Sequence, residues 1–166
     1  MILIVKFLLT MMWESLAFTA NIIQAKVDAV AAIDASGSDG FLTLDKNGNG
    51  TVADAGELFG TYTGSGFADL AAYDLNHDGK IDAADAVYSK PKVWQDFNGD
   101  GVSTPDELHT LADLGIASIS LNSHVIGGTT PQGTTLRAGS SFTRTDGTSS
   151  AIYEVVFGND QFARAA

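Results

Sequence analysis

The first 32 residues, Met1 to Ala32, are predominantly apolar, and Leu16, Ala20, Ile23, Val27 and Val30 recur at intervals of three and four. That period predicts an amphipathic helix packed on the rest of the chain. Lys6 and Glu14 interrupt the run. It therefore reads as a packed helix, with a cleaved secretory signal as the alternative, and not as a membrane span, which needs roughly 20 mostly apolar residues.

Further along, apolar positions come in short groups separated by Asp, Asn and Gly. Gly66 to Tyr73 is predicted as a helix with Phe67, Leu70 and Ala71 on its apolar face, and Ala83 to Ser89 as another. A third is predicted over Pro105 to Leu114, where Leu108, Leu111 and Ala112 face inward and Pro105 sits in the first turn. From Ile116 the pattern changes to alternation, which predicts a strand over Ile116 to Leu121. Asp146-Gly147 lies between runs holding Phe142 on one side and Ile152, Val155 and Phe157 on the other, the signature of a hairpin turn. Phe59, Phe67, Val87, Val93, Trp94 and Leu108 are the expected core, and Phe97 flanks the same region.

Composition sharpens this picture. The chain has 166 residues, 45% of them hydrophobic, with 20 acidic against 9 basic side chains, a net charge of −11 and no Cys. It is long and apolar enough to bury a core. The absence of Cys excludes disulfides and thiolate chemistry, and the shortage of Lys and Arg argues against nucleic acid, whose phosphates demand a basic surface. From Asp45 to Asp113 there are 11 Asp and 2 Glu against Lys46, Lys80, Lys90 and Lys92, so this stretch contributes 4 − 13 = −9. Cations are the natural ligands of such a segment.

Three strings in it share one layout: LDKNGNGTVADAGELFG from Leu44, YDLNHDGKIDAADAV from Tyr73 and QDFNGDGVSTPDELHTL from Gln95. A Ca²⁺ loop places oxygen side chains at alternate positions, a Gly at the sixth, a carbonyl at the seventh and a carboxylate at the twelfth. The third string fits throughout, with Asp96, Asn98, Asp100, the Val102 carbonyl, Thr104 and Glu107. The second offers Asp74, Asn76, Asp78, the Lys80 carbonyl, Asp82 and Asp85, closing on a shorter acid that relaxes selectivity toward Mg²⁺. The first has Asp45, Asn47, Asn49 and the Thr51 carbonyl, but Gly56 occupies the twelfth position and the acid arrives one residue late as Glu57. A weaker site is expected there. His77 and His109 lack metal-type spacing and are expected to face solvent.

The loops start 74 − 45 = 29 and 96 − 74 = 22 residues apart, too close for full helices between the second and third. All three Met lie in the first dozen residues, so a sensor opening a Met-rich groove is not expected. The expected fold class is α+β: EF-hand-like calcium loops and short helices packed on a C-terminal antiparallel sheet, plus an N-terminal helix. The expected organisation is an arm over 1–35 and a calcium-binding domain over 36–166.

The block from Ser38 to Phe157, with its late acid in ELFG, its KVWQDFNGDG run and its LGIASISL strand, resembles the calcium-dependent self-processing module of RTX proteins. The resemblance implies a secreted module that folds on meeting calcium, cleaves an Asp-Pro bond at its own N-terminal boundary and passes the new Asp carboxyl end to a lysine amine. Family acids that support this activity correspond to Asp74, Asp85 and Asp96. Here, however, the prolines follow Lys90, Thr104 and Thr130, so there is no Asp-Pro bond, and glycine-rich nonapeptide repeats are absent. The expected function is therefore calcium binding that orders the domain, in a monomer, with self-cleavage in cis not expected. A dockerin-like module that binds another protein is an alternative, which the C-terminal β segment fits poorly.

Overall fold

The computed structural model describes residues 2–7, 39–53, 55–60, 63–98, 100, 102–129 and 135–157. In chain order the strands are β1 (Ile2–Phe7), β2 (Gly40–Thr43), β3 (Lys80–Asp82), β4 (Lys92–Trp94), β5 (Leu108–Thr110), β6 (Ile116–Ser120), β7 (His124–Thr129), β8 (Thr135–Arg144) and β9 (Ser149–Phe157). One short helix, α1 (Gly66–Ala71), and two 3-10 turns, Ala55–Glu57 and Pro105–Glu107, complete the described elements.

The strands form one path in the order β3-β6-β8-β9-β1-β2-β4-β5, with β7 paired to β8. Two antiparallel groups are present, β2-β4-β5 on one side and β3, β6, β7, β8 and β9 on the other. β1 lies between them and is parallel to both its neighbours, β2 and β9. A single core serves both groups: Leu42, Phe59, Leu70, Ile81, Val93, Leu111, Ile119 and Ile152 are all at most 1% exposed.

These observations overturn the α+β expectation with its EF-hand helices. The domain is mostly sheet, and short polar side chains explain where helix fails. After Glu107 the chain pairs at once with Lys92–Trp94 as β5. It then turns where the Asp113 carboxylate accepts the Thr110 N–H at 2.9 Å and Thr110 Oγ1 accepts the Asp113 N–H at 3.0 Å. Such local bonds compete directly with a helix, and Gly115, at φ +62°, closes the turn. Between Ala83 and Ser89, Asp85 and Tyr88 donate to the carbonyls three residues back rather than four, as does Lys90 just beyond. Pro91 follows, and a residue before proline is driven out of the helical region.

The expected helix at Gly66 does form, over Gly66–Ala71. Six residues are too few to hold a helix alone, but Phe67 and Leu70 are buried beneath it. Ser65 caps its first turn, accepting from the Ala68 N–H at 3.4 Å. Glu154, buried at 1% exposure on β9, accepts from Ser65 Oγ at 3.0 Å and from the Gly66 N–H at 3.1 Å. Arg137 lies 3.3 Å from its other oxygen and also donates to the Gly64 carbonyl. A carboxylate at this end of a helix meets the positive pole of the backbone dipoles.

The expected hairpin is present as β8 and β9, with Gly147 at φ +85° and the Thr148 N–H held by Asp146 Oδ1 at 2.8 Å. Phe59, Phe67, Val87, Val93 and Trp94 are buried as expected, whereas Leu108 is only half-buried because β5 borders the sheet. The expected N-terminal helix is corrected over Ile2–Phe7, which is strand; its helical stretch from Leu16 to Val30 lies outside the described residues.

Candidate metal centre

Each of the three Asp/Asn/Gly strings folds as a tight loop organised by its own side chains. In the first, Asp45 Oδ1 accepts the N–H of Gly48 at 2.7 Å and of Asn49 at 3.2 Å, and Oδ2 accepts that of Gly50 at 2.8 Å. These bonds, the Gly50 one foremost, hold the Asp45 carboxyl below its ordinary pKa. Asn47 Oδ1 accepts from the Asn49 N–H at 2.9 Å, and Asn49 Oδ1 from the Thr51 N–H and hydroxyl, both at 2.8 Å.

In the second loop the same pattern returns. Asp74 accepts from Asp78 and Gly79, Asn76 from Asp78, and Asp78 from the Lys80 N–H. Gly48 and His77 occupy the fourth position of their loops and Gly50 and Gly79 the sixth, all with φ between 58° and 82°. His77 is thus a non-glycine residue in the left-handed region, and it is exposed as expected. His109 is instead half-buried, its ring 6.0 Å from that of Phe97, which is itself 61% exposed.

The loops close in a common way that spacing alone conceals. Thr104, ninth in the third loop, donates its N–H to Glu107 Oε2 at 3.2 Å. Asp82, ninth in the second, donates to Asp85 Oδ2 at 3.1 Å, and Ala53, ninth in the first, donates to Glu57 Oε2 at 3.0 Å. Glu57 therefore closes its loop despite arriving one residue late. Both glutamates end three-residue 3-10 turns, and their carbonyls accept the N–H of the residue preceding the loop, Leu44 at 2.8 Å and Gln95 at 2.9 Å. Glu57, Asp85 and Glu107 are 2%, 4% and 4% exposed, respectively.

What differs is the convergence of charge. Among the described residues, Asp96, Asp100 and Glu107 bring one carboxylate oxygen each to within 4.8 Å of one another. A hard cation takes oxygens at about 2.3 to 2.6 Å, so ligands across its shell lie up to roughly 5 Å apart. An all-oxygen set of this size suits Ca²⁺ or Mg²⁺, and Asn98, the Val102 carbonyl and Thr104 belong to the same loop. Asn98 Oδ1 and Asp100 Oδ1 accept from the N–H groups of Asp100 and Val102, both at 2.8 Å.

The second loop contains its own cation. Lys80 Nζ lies 2.6 Å from Asp82 and 3.8 Å from Asp78, which raises the Lys80 pKa and lowers that of Asp82. Asp85 is turned back onto the Leu75 N–H at 3.3 Å. Only its carbonyl made Lys80 a candidate in the sequence; the ammonium is a counter-ion that spacing does not reveal.

Ser103 was likewise missed. Its hydroxyl accepts the Val52 N–H at 2.6 Å and donates to the Val52 carbonyl at 3.3 Å, joining the first and third loops. Both residues are eighth in their loops, which is the signal that marks them in the sequence.

Iron-regulated protein FrpA of Neisseria meningitidis serogroup C is 41% identical over 133 residues, an alignment covering 75% of this chain and 12% of that protein. The chain thus spans a small part of the relative's length and is related to a module of it. The family model described as SPM domain covers residues 17–158, which include all three loops and every strand from β2 to β9. The chain belongs to the SPM domain family.

Proposed function

We propose that this chain is a calcium-binding module of an RTX-related protein, folded and stabilised by Ca²⁺ held in its Asp/Asn/Gly loops. The convergence of Asp96, Asp100 and Glu107 carries the reading. Three carboxylates this close repel one another, and a divalent cation converts the repulsion into binding energy that becomes folding energy. Asp96, Asn98, Asp100, the Val102 carbonyl, Thr104 and Glu107 would hold the ion in the third loop. Asp45, Asn47, Asn49, Thr51 and Glu57 would supply the first. In the second, Asp74, Asn76, Asp78, Asp82 and Asp85 compete for the ion with the Lys80 ammonium. The RTX relation carries with it secretion and folding on arrival in a calcium-rich medium.

Self-cleavage within these residues is not part of the proposal, because Pro91, Pro105 and Pro131 follow Lys90, Thr104 and Thr130 and no Asp-Pro bond is present. A calcium titration followed by circular dichroism and by the fluorescence of buried Trp94 tests the reading, with magnesium as control. A calcium-specific gain of order supports it. A chain already ordered and unchanged up to millimolar calcium overturns it.

A further inference from the structure

β1 stands apart from the rest of the sheet in two respects. It is parallel to both neighbours, while the other strand pairs are antiparallel. It also lies outside the residues that the SPM family model covers, 17–158, whereas both its neighbours lie within them. Its six residues, Ile2 to Phe7, are aligned with Ile152 to Phe157 of β9, and Ile2 and Leu3 also with Gly40 and Phe41 of β2.

Without β1, no described strand pair joins the β2-β4-β5 group to the group containing β9. Each group would then show an open edge of backbone N–H and C=O groups, the kind that recruits an added strand. The β9 edge is long, six residues of it pairing with β1, and in the assembled sheet Ile152, Glu154 and Val155 are at most 1% exposed. A segment that enters there pairs along its main chain with β9 and β2, and five of the six residues of β1 are apolar. We infer that the space between β9 and β2 is an acceptor site for an extended apolar peptide in parallel register, and that Ile2–Phe7 is the ligand that fills it in this chain.

The site is independent of the metal reading, since it rests on strand pairing alone, and it is tested at one fixed calcium concentration. A recognition sequence for a specific protease is inserted after Glu14 in the full chain, which is cut after folding. The N-terminal fragment is expected to co-elute with the remainder in gel filtration, with those amides of Ile152 to Val156 that point toward β1, rather than toward β8, still protected from hydrogen exchange. If the fragment leaves, those amides are expected to exchange at least about tenfold faster, and a synthetic peptide of residues 1–10 to restore protection. A peptide with prolines at positions 3 and 5 is expected not to. Loss of the fragment with unchanged exchange in β9, or faster exchange that the peptide of residues 1–10 does not reverse, overturns the inference. The uncut double variant Leu3→Pro, Val5→Pro gives a second reading: faster β9 exchange supports the site, and unchanged exchange overturns it.

Discussion

Val52 and Ser103 are 51 residues apart, yet they are joined by two bonds through one hydroxyl, Val52 N–H to Ser103 Oγ at 2.6 Å and Ser103 Oγ to the Val52 carbonyl at 3.3 Å. Both residues are buried, at 5% and 4% exposure. β2 and β4, which lead into the same two loops, pair antiparallel. The first and third loops are therefore a unit, while the second is tied elsewhere, through β3 to β6.

Removing the hydroxyl strands a buried backbone donor, which costs about 1 to 3 kcal/mol. Ser103→Ala is expected to lower the unfolding midpoint accordingly and to speed hydrogen exchange at the Val52 amide, while the Ile81 amide on β3 responds only to the global loss. Equal acceleration at both sites would show that the two loops are not locally coupled.

Glu107→Gln is expected to weaken calcium binding at the third loop most, by tenfold or more, because it removes one of three converging charges. A tenfold loss corresponds to about 1.4 kcal/mol. Glu57→Gln, which keeps an acceptor for Ala53 but takes a charge from a loop with fewer acids, is expected to affect calcium affinity less. Isothermal titration of both variants decides, and a larger loss for Glu57→Gln would reverse the ranking.

The Asp45 carboxyl is held below its ordinary pKa by three backbone N–H groups. A lowered folded pKa means that the group stabilises the fold above its unfolded value, about 3.9, and that this contribution disappears as pH falls through the lower folded value. Carbon-13 detected NMR of the metal-free protein is expected to give an Asp45 midpoint below that of a model peptide. A midpoint at or above it would mean that the loop bonds are absent in solution.

Arg137 is the cationic partner of buried Glu154, and its side chain is 44% exposed. Arg137→Met leaves Glu154 with Ser65 and Gly66 but without its counter-charge, a loss of about 1 to 3 kcal/mol given the solvent screening on the arginine side. Thermal unfolding is expected to show a lower midpoint, and the double variant Arg137→Met, Glu154→Gln to recover part of it. Full additivity of the two single changes would exclude coupling between them.

The loops were legible in the sequence because their geometry is local. Asp45, Asn47 and Asn49 bond to N–H groups two to five residues ahead, and Asp74 and Asp78 do the same. Residue type and spacing suffice to specify such turns. Glu57 was legible as the late acid of the first loop, but not how it closes that loop, because the 3-10 turn Ala55–Glu57 absorbs the extra residue and brings its carboxylate to Ala53 all the same.

The helix expected over Pro105 to Leu114 shows why local pattern stops short of architecture. Leu108, Leu111 and Ala112 have a helical period, but His109 and Thr110 instead face Val93 and Lys92 across a ladder. By itself the sequence determined where carboxylates and other side-chain oxygens gather, where the chain turns and that Asp146-Gly147 closes a hairpin. Only the tertiary structure decided that the first and third loops follow strands rather than helices, that these two loops are joined to each other, and that Ile2–Phe7 bridges two antiparallel groups. Turns are closed by neighbours along the chain, whereas strand pairing depends on which distant edges can satisfy each other's backbone groups while burying a shared core.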